Sequence, residues 1–134
     1  MKYRLPNPDN NEWIAKCNDI IGKNENNVQL KPKDPNYKKY SLHHILIRSE
    51  YPELKNDLNN QIYLEVEDHI NLHYYMWKGN SKYCAAFWFC YVWFHKNFGY
   101  NITDEEYLQL KEDMKVYRKL HKKPKNGVSS KIAE

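Results

Sequence analysis

Apolar positions along the chain repeat first at helical spacing, then at strand spacing, then at helical spacing again. Trp13, Ile14, Cys17, Ile20 and Ile21 share one helical face, with Asn10 or Asn11 available as N-cap and Gly22 placed to stop the helix. Residues 23–37 are rich in Asn, Lys and Pro and read as an extended linker. The β-branched and apolar content of residues 40–47 suits a strand. A polar loop with Pro52 follows, and then Ile62, Leu64 and Val66 alternate with polar neighbours in a second strand over 61–66. Helical periodicity returns over 67–78, where Glu67 and Asp68 occupy the first turn and Gly79 closes the segment. A second helix over 81–98 is apolar around its circumference and stops at Gly99. Thr103 and Glu106 form a capping box for a last helix, whose stripe is Tyr107, Leu110, Met114 and Tyr117 and which must end before Pro124. The expected fold is therefore α+β, mainly helical, with a central strand–strand–helix unit. The expected division is residues 1–39 as helix and basic linker, 40–79 as the ββα unit and 80–134 as helices and basic tail, all in one domain.

Composition changes this picture only at its edges. With 134 residues, 41% hydrophobic and 15% aromatic, the chain has enough apolar material for a core, so wholesale disorder is excluded. Cys17, Cys84 and Cys90 form no Cys-x-x-Cys pair, which suggests reduced thiols and a cytoplasmic protein. The N-terminus is polar and lacks the apolar stretch of a signal peptide. The most apolar run, 83–94, falls well short of the roughly 20 residues needed to cross a bilayer, so no membrane association is expected.

Histidine supplies the candidate chemistry. His69 and His73 stand four apart on the expected helix, so both imidazoles leave the same face and can hold one metal ion. His43 and His44 are adjacent on a strand and point to opposite sides. One of the two can turn toward the helix as a third ligand while the other faces a substrate. Asn60 precedes the second strand.

At these residues the chain resembles the HNH endonuclease family, and most of all its phage-type homing endonucleases. The likeness rests on Tyr40-Ser-Leu-His-His-Ile-Leu-Ile-Arg48 and Asp68-His-Ile-Asn-Leu-His-Tyr-Tyr-Met-Trp77. It extends more weakly over Lys82 to Lys123, where an aromatic helix is followed by a capped helix carrying Tyr107-Leu-Gln-Leu-Lys111. The nuclease domains of colicin-type toxins are similar in the spacing from Asn60 to His69 and His73. The resemblance implies a ββα-metal module in which His43, His69 and His73 bind one divalent ion and His44 is the general base. It implies that Asn60 ties the loop that positions the base. Arg48 is assigned to the scissile phosphate. Three imidazoles favour zinc, nickel or cobalt, while magnesium or manganese could support turnover with help from the substrate's phosphate. This sequence lacks the family's usual proline after His-His-Ile, its Gly-Gly loop and the Thr-Pro that opens its metal-binding helix. These departures touch loop shape and capping rather than ligands.

The expected activity is hydrolysis of DNA phosphodiester bonds by a phage-encoded enzyme acting in the host cytoplasm. Two alternatives stand beside it: an inactive HNH-fold phage protein that binds nucleic acid or a host defence complex, and a purely structural zinc domain. The net charge of +4 divides unevenly, with three basic against six acidic side chains over 41–80 and eight basic against three acidic over 111–134. Lys38, Lys39, Lys115, Arg118, Lys119, Lys122 and Lys123 are accordingly expected to contact DNA phosphates. The aromatic helix 81–98 is expected to pack in the core or to form a homodimer interface.

Overall fold

The computed structural model describes residues 1–35, 40–48 and 50–121. The fold is α+β, and the described residues are 59% helical, 3-10 turns included, with four α-helices and one two-stranded antiparallel sheet among them. Helix α1 spans Glu12–Asn24, β1 Tyr40–His44, β2 Gln61–Glu65, α2 Val66–Gly79, α3 Cys84–Phe98 and α4 Asp104–Leu120.

Helix α1 starts where its N-cap dictates. Asn11 Oδ1 accepts from the backbone N–H groups of Trp13 and Ile14 at 2.8 and 3.2 Å, satisfying two donors that have no partner inside the helix. Gly22 does not stop it. The helix continues to Asn24 because Asn24 is buried against the rest of the fold, its Nδ2 donating to the Ile20 carbonyl and to Asp68 Oδ2. This tertiary tie outweighs the modest helix-breaking tendency of one exposed glycine.

The sheet register pairs Tyr40 with Glu65, Leu42 with Tyr63, His43 with Ile62 and His44 with Gln61. Strand β1 ends at His44, short of the expected 47. Beyond it, Ile45 N–H donates to the Asn60 backbone carbonyl, and Leu46 pairs with the Asn60 side chain, which takes the place of further ladder. Strand β2 leads straight into α2. Glu65 makes no side-chain cap there, and Glu67 and Asp68 in the first turn favour the positive end of the helix dipole.

Two hydrophobic clusters lie on either side of α2. An aliphatic one gathers Leu5, Ile14, Cys17, Ile21, Ile45, Ile62, Leu64, Leu72, Met76 and Tyr83 between α1, the sheet and α2. Full burial of a side chain such as Ile62 or Leu64 stabilises the fold by about 1.5–3 kcal/mol. Helix α1 crosses α2 closely enough that a Cβ on Gly79 would lie 2.6 Å from Ile14 Cδ1, so this glycine is required for space. The second cluster, between α2, α3 and α4, is built on Ile70, Trp77, Phe87, Tyr91, Phe94, Leu110 and Met114, with Trp77 and Phe87 stacked at 5.2 Å. Carboxylates of α4 satisfy its polar edges: Trp77 Nε1–H donates to Asp113 Oδ2 at 2.7 Å and Tyr74 O–H donates to Glu106.

The segment expected as one helix from 81 begins instead as a 3-10 turn, Ser81–Tyr83, because Asn80 Oδ1 caps Lys82 N–H and sets the chain direction before α3. Gly99, at φ 68°, ends α3 in the left-handed conformation that favours glycine. The Thr103–Glu106 capping box is present at the start of α4. Helix α3 is not buried all round. Cys84, Phe87, Tyr91 and Phe94 face the core, while Phe89, Val92, Trp93 and Phe98 are exposed. No helix among the described residues is long and apolar enough to cross a membrane.

Candidate metal centre

The sequence brings the histidines together through two local rules. Alternation along β1 turns His43 inward and leaves His44 on the other face, and the four-residue spacing on α2 stacks His69 and His73 on one side. Because α2 follows β2 without a loop, that side lies against β1. The three rings form a tight group, with centroids 5.3 Å apart for His43 and His69, 4.8 Å for His43 and His73, and 5.0 Å for His69 and His73. One nitrogen from each lies within 4.8 Å of the others.

The nitrogens can be assigned one by one. His73 Nε2 faces His69 Nε2 at 3.2 Å. On the far side of its ring, His69 Nδ1 is 2.7 Å from Ser41 Oγ, whose own hydroxyl reaches toward the Leu64 carbonyl at 3.5 Å. A hydroxyl directed at Leu64 leaves Ser41 Oγ to accept from His69 Nδ1–H, which places the lone pair of His69 on Nε2, facing the cluster. His43 Nε2 and His73 Nδ1 are buried with no hydrogen-bond partner, and they are the only such side-chain atoms among the described residues.

Electrostatics keep these rings neutral. Burial pushes His73 down to about 3, helped by neighbouring His69, and pushes His69 down to about 4. His43 is held well below the usual imidazole range, first by burial and then by His73, His69 and His44. A neutral imidazole is the ligating form, and His43 Nε2, orphaned and buried, costs about 1–3 kcal/mol until something satisfies it, whereas His73 offers the cluster its Nε2 rather than its orphaned Nδ1. Two nitrogens each about 2.0–2.1 Å from a tetrahedral ion stand about 3.3 Å apart, close to the His69–His73 separation. The donor set therefore fits a divalent ion that accepts imidazole, and His43, His69 and His73 are the residues that would hold it.

The remaining candidates divide. His44 is half-buried, and its Nε2 donates to the Lys55 carbonyl at 3.1 Å, since a carbonyl can only accept; its lone pair is thereby left on Nδ1. Asn60 is fully buried and clamps the loop neck, accepting from Leu46 N–H at 2.8 Å and donating to the Leu46 carbonyl at 3.0 Å. Arg48 sits exposed in the turn after β1 and forms no ion pair among the described residues. On α4, Lys115, Arg118 and Lys119 are exposed, with Lys115 3.3 Å from Glu112. Lys38, Lys39, Lys122 and Lys123 lie outside the described residues. Sequence reasoning overlooked Ser41, although its position two residues before His43 puts it on the same face of β1, beside the helix histidines. No protein-family model, curated protein or solved structure matches this chain.

Proposed function

We propose that the protein is a metal-dependent nuclease of the HNH type that hydrolyses phosphodiester bonds in DNA. The observation that carries the reading is the juxtaposition of three grouped imidazoles, His43 buried and His69 and His73 partly buried, with a fourth, His44, on the opposite face of the same strand and with its Nδ1 lone pair left open. His44 takes the proton from an attacking water. The Lys55 carbonyl fixes both its tautomer and its ring plane. The water oxygen bonds to phosphorus as the bond to the 3′ oxygen breaks, and the leaving oxygen takes a proton from solvent, giving a 5′-phosphate and a 3′-hydroxyl. When bound by His43, His69 and His73, the divalent ion supplies Lewis-acid stabilisation of charge on the phosphate and the leaving oxygen. Asn60 holds the neck of the loop and so keeps His44 and Lys55 in register, while Arg48 grips a non-bridging phosphate oxygen from that same loop.

Plasmid relaxation with zinc, nickel, cobalt, manganese and magnesium, run beside His44→Ala, tests this reading. The substitution should lower the rate by about 10²- to 10⁴-fold while calorimetric metal binding is retained. Wild type and His44→Ala that are equally inert with every metal would sink the nuclease reading and favour a binding protein on the same scaffold.

A further inference from the structure

A second surface on the other side of α2 has chemistry of its own. Between α3 and α4 two clefts share the half-buried ring of Trp88. The larger, about 460 Å³, is lined by Trp88, Tyr91, His95, Lys96 and Tyr107 among others. The smaller, about 100 Å³, is walled by Trp88, Lys111, Met114, Lys115 and Arg118. Trp88 and Tyr107 lie 6.1 Å apart with their planes tilted by 35°, so neither ring fully covers the other, and Lys111 Nζ sits 5.4 Å over the Tyr107 ring.

The cations here are available. Lys96, Lys111 and Arg118 form no ion pair among the described residues, and Lys115 has only an exposed contact with Glu112, the kind of pair that is worth little. Asp104 is the one carboxylate that lines either cleft. Half-exposed aromatic rings interleaved with unpaired cations are what unpaired bases and their phosphates bind. A duplex, with its bases already stacked, could engage only the charges.

We propose that the α3–α4 groove binds single-stranded nucleic acid, with Trp88 and Tyr107 stacking bases and Lys96, Lys111 and Arg118 holding phosphates. This goes beyond the hydrolytic reading and does not rest on it, because the groove uses none of the metal-centre residues. The test is fluorescence anisotropy of labelled oligothymidylate and oligouridylate in EDTA, with an unlabelled duplex as competitor. The two oligonucleotides separate DNA from RNA as the source of the strand. Trp88→Ala should weaken binding about tenfold or more. Lys111→Gln with Arg118→Gln, both at exposed positions that leave the core intact, should lower the slope of log affinity against log salt by about 1.4. The proposal is overturned if the double variant keeps the wild-type slope, if a folded Trp88→Ala retains full affinity, or if duplex competes as well as single strand. Binding in EDTA by a protein that cleaves nothing with any metal would leave the groove standing and remove the nuclease reading, so the two fail separately.

Discussion

The aliphatic and aromatic halves of the molecule treat buried polarity in opposite ways. In the aromatic half, Tyr74 and Trp77 each donate to an α4 carboxylate, and no buried side-chain nitrogen or oxygen among the described residues is left without a partner. In the half that contains the sheet, His43 and His73 bury nitrogens with nothing to bond them. Both halves share α2, which gives Leu72 and Met76 to one cluster, Ile70 and Trp77 to the other, and His69 and His73 to β1. A helix that satisfies its polar groups on one face and leaves them open on another marks the open face as the one that awaits a ligand. The closed face is scaffold.

That contrast breaks most sharply at Phe87. Phe87→Ala should cost about 3–5 kcal/mol in urea unfolding, because a fully buried ring stacked on Trp77 leaves a cavity. Metal affinity of the folded fraction should stay near wild type if the aromatic half does not support the metal centre. A large loss of affinity would show that the two faces of α2 do not act separately.

Acid should act on the other half. In metal-stripped protein the imidazoles of His69 and His73 have folded-state pKa values below the ordinary 6.5, at about 4 and about 3. Above pH 6.5 both folded and unfolded states are neutral and no penalty arises. As pH falls below 6.5 the unfolded chain takes up protons that the folded chain refuses, so stability declines until the folded pKa is reached. Between pH 7 and 5 the loss should be about 2 kcal/mol for each imidazole, read from urea midpoints along a pH series. A flat profile from pH 7 to 5 would mean that the rings are not buried as neutral groups. Ser41→Ala sharpens the comparison most gently. Removing the hydroxyl that orients His69 should weaken metal binding by about 10- to 100-fold in calorimetry, with Ser41→Thr retaining most of it.

Much of the architecture was legible in the chain because local periodicity and capping decided it. The Asn11 cap, the alternation of Ile62 and Leu64, and the Thr103–Glu106 box all act within a few residues of themselves. Departures occur where a distant partner takes over. Asn24 reaches Asp68 and carries α1 past Gly22, and Asn60 replaces the ladder that residues 45–47 were expected to continue. At the metal centre, spacing alone placed His69 and His73 on one face. Which of His43 and His44 joins them depends on the register of β1 against β2, which one strand's pattern does not contain. Ser41 carried no signal of its own, since a serine on a strand is ordinary until the ring it touches is known.

The clamp at Asn60 has a consequence for chain length. Its backbone carbonyl and side-chain amide together close the neck of the loop with three hydrogen bonds, to Ile45 and to both backbone groups of Leu46. A loop sealed at its base has its closure entropy set by the neck, and each doubling of its length adds only about 0.6 kcal/mol. The stretch between Leu46 and Asn60 can therefore be lengthened at small entropic cost while the imidazole cluster beneath it stays in place. Among its described residues the fixed points include Arg48, which grips the phosphate in the proposed reaction, Lys55, whose carbonyl orients His44, and Asp57, which accepts from the Tyr3 hydroxyl.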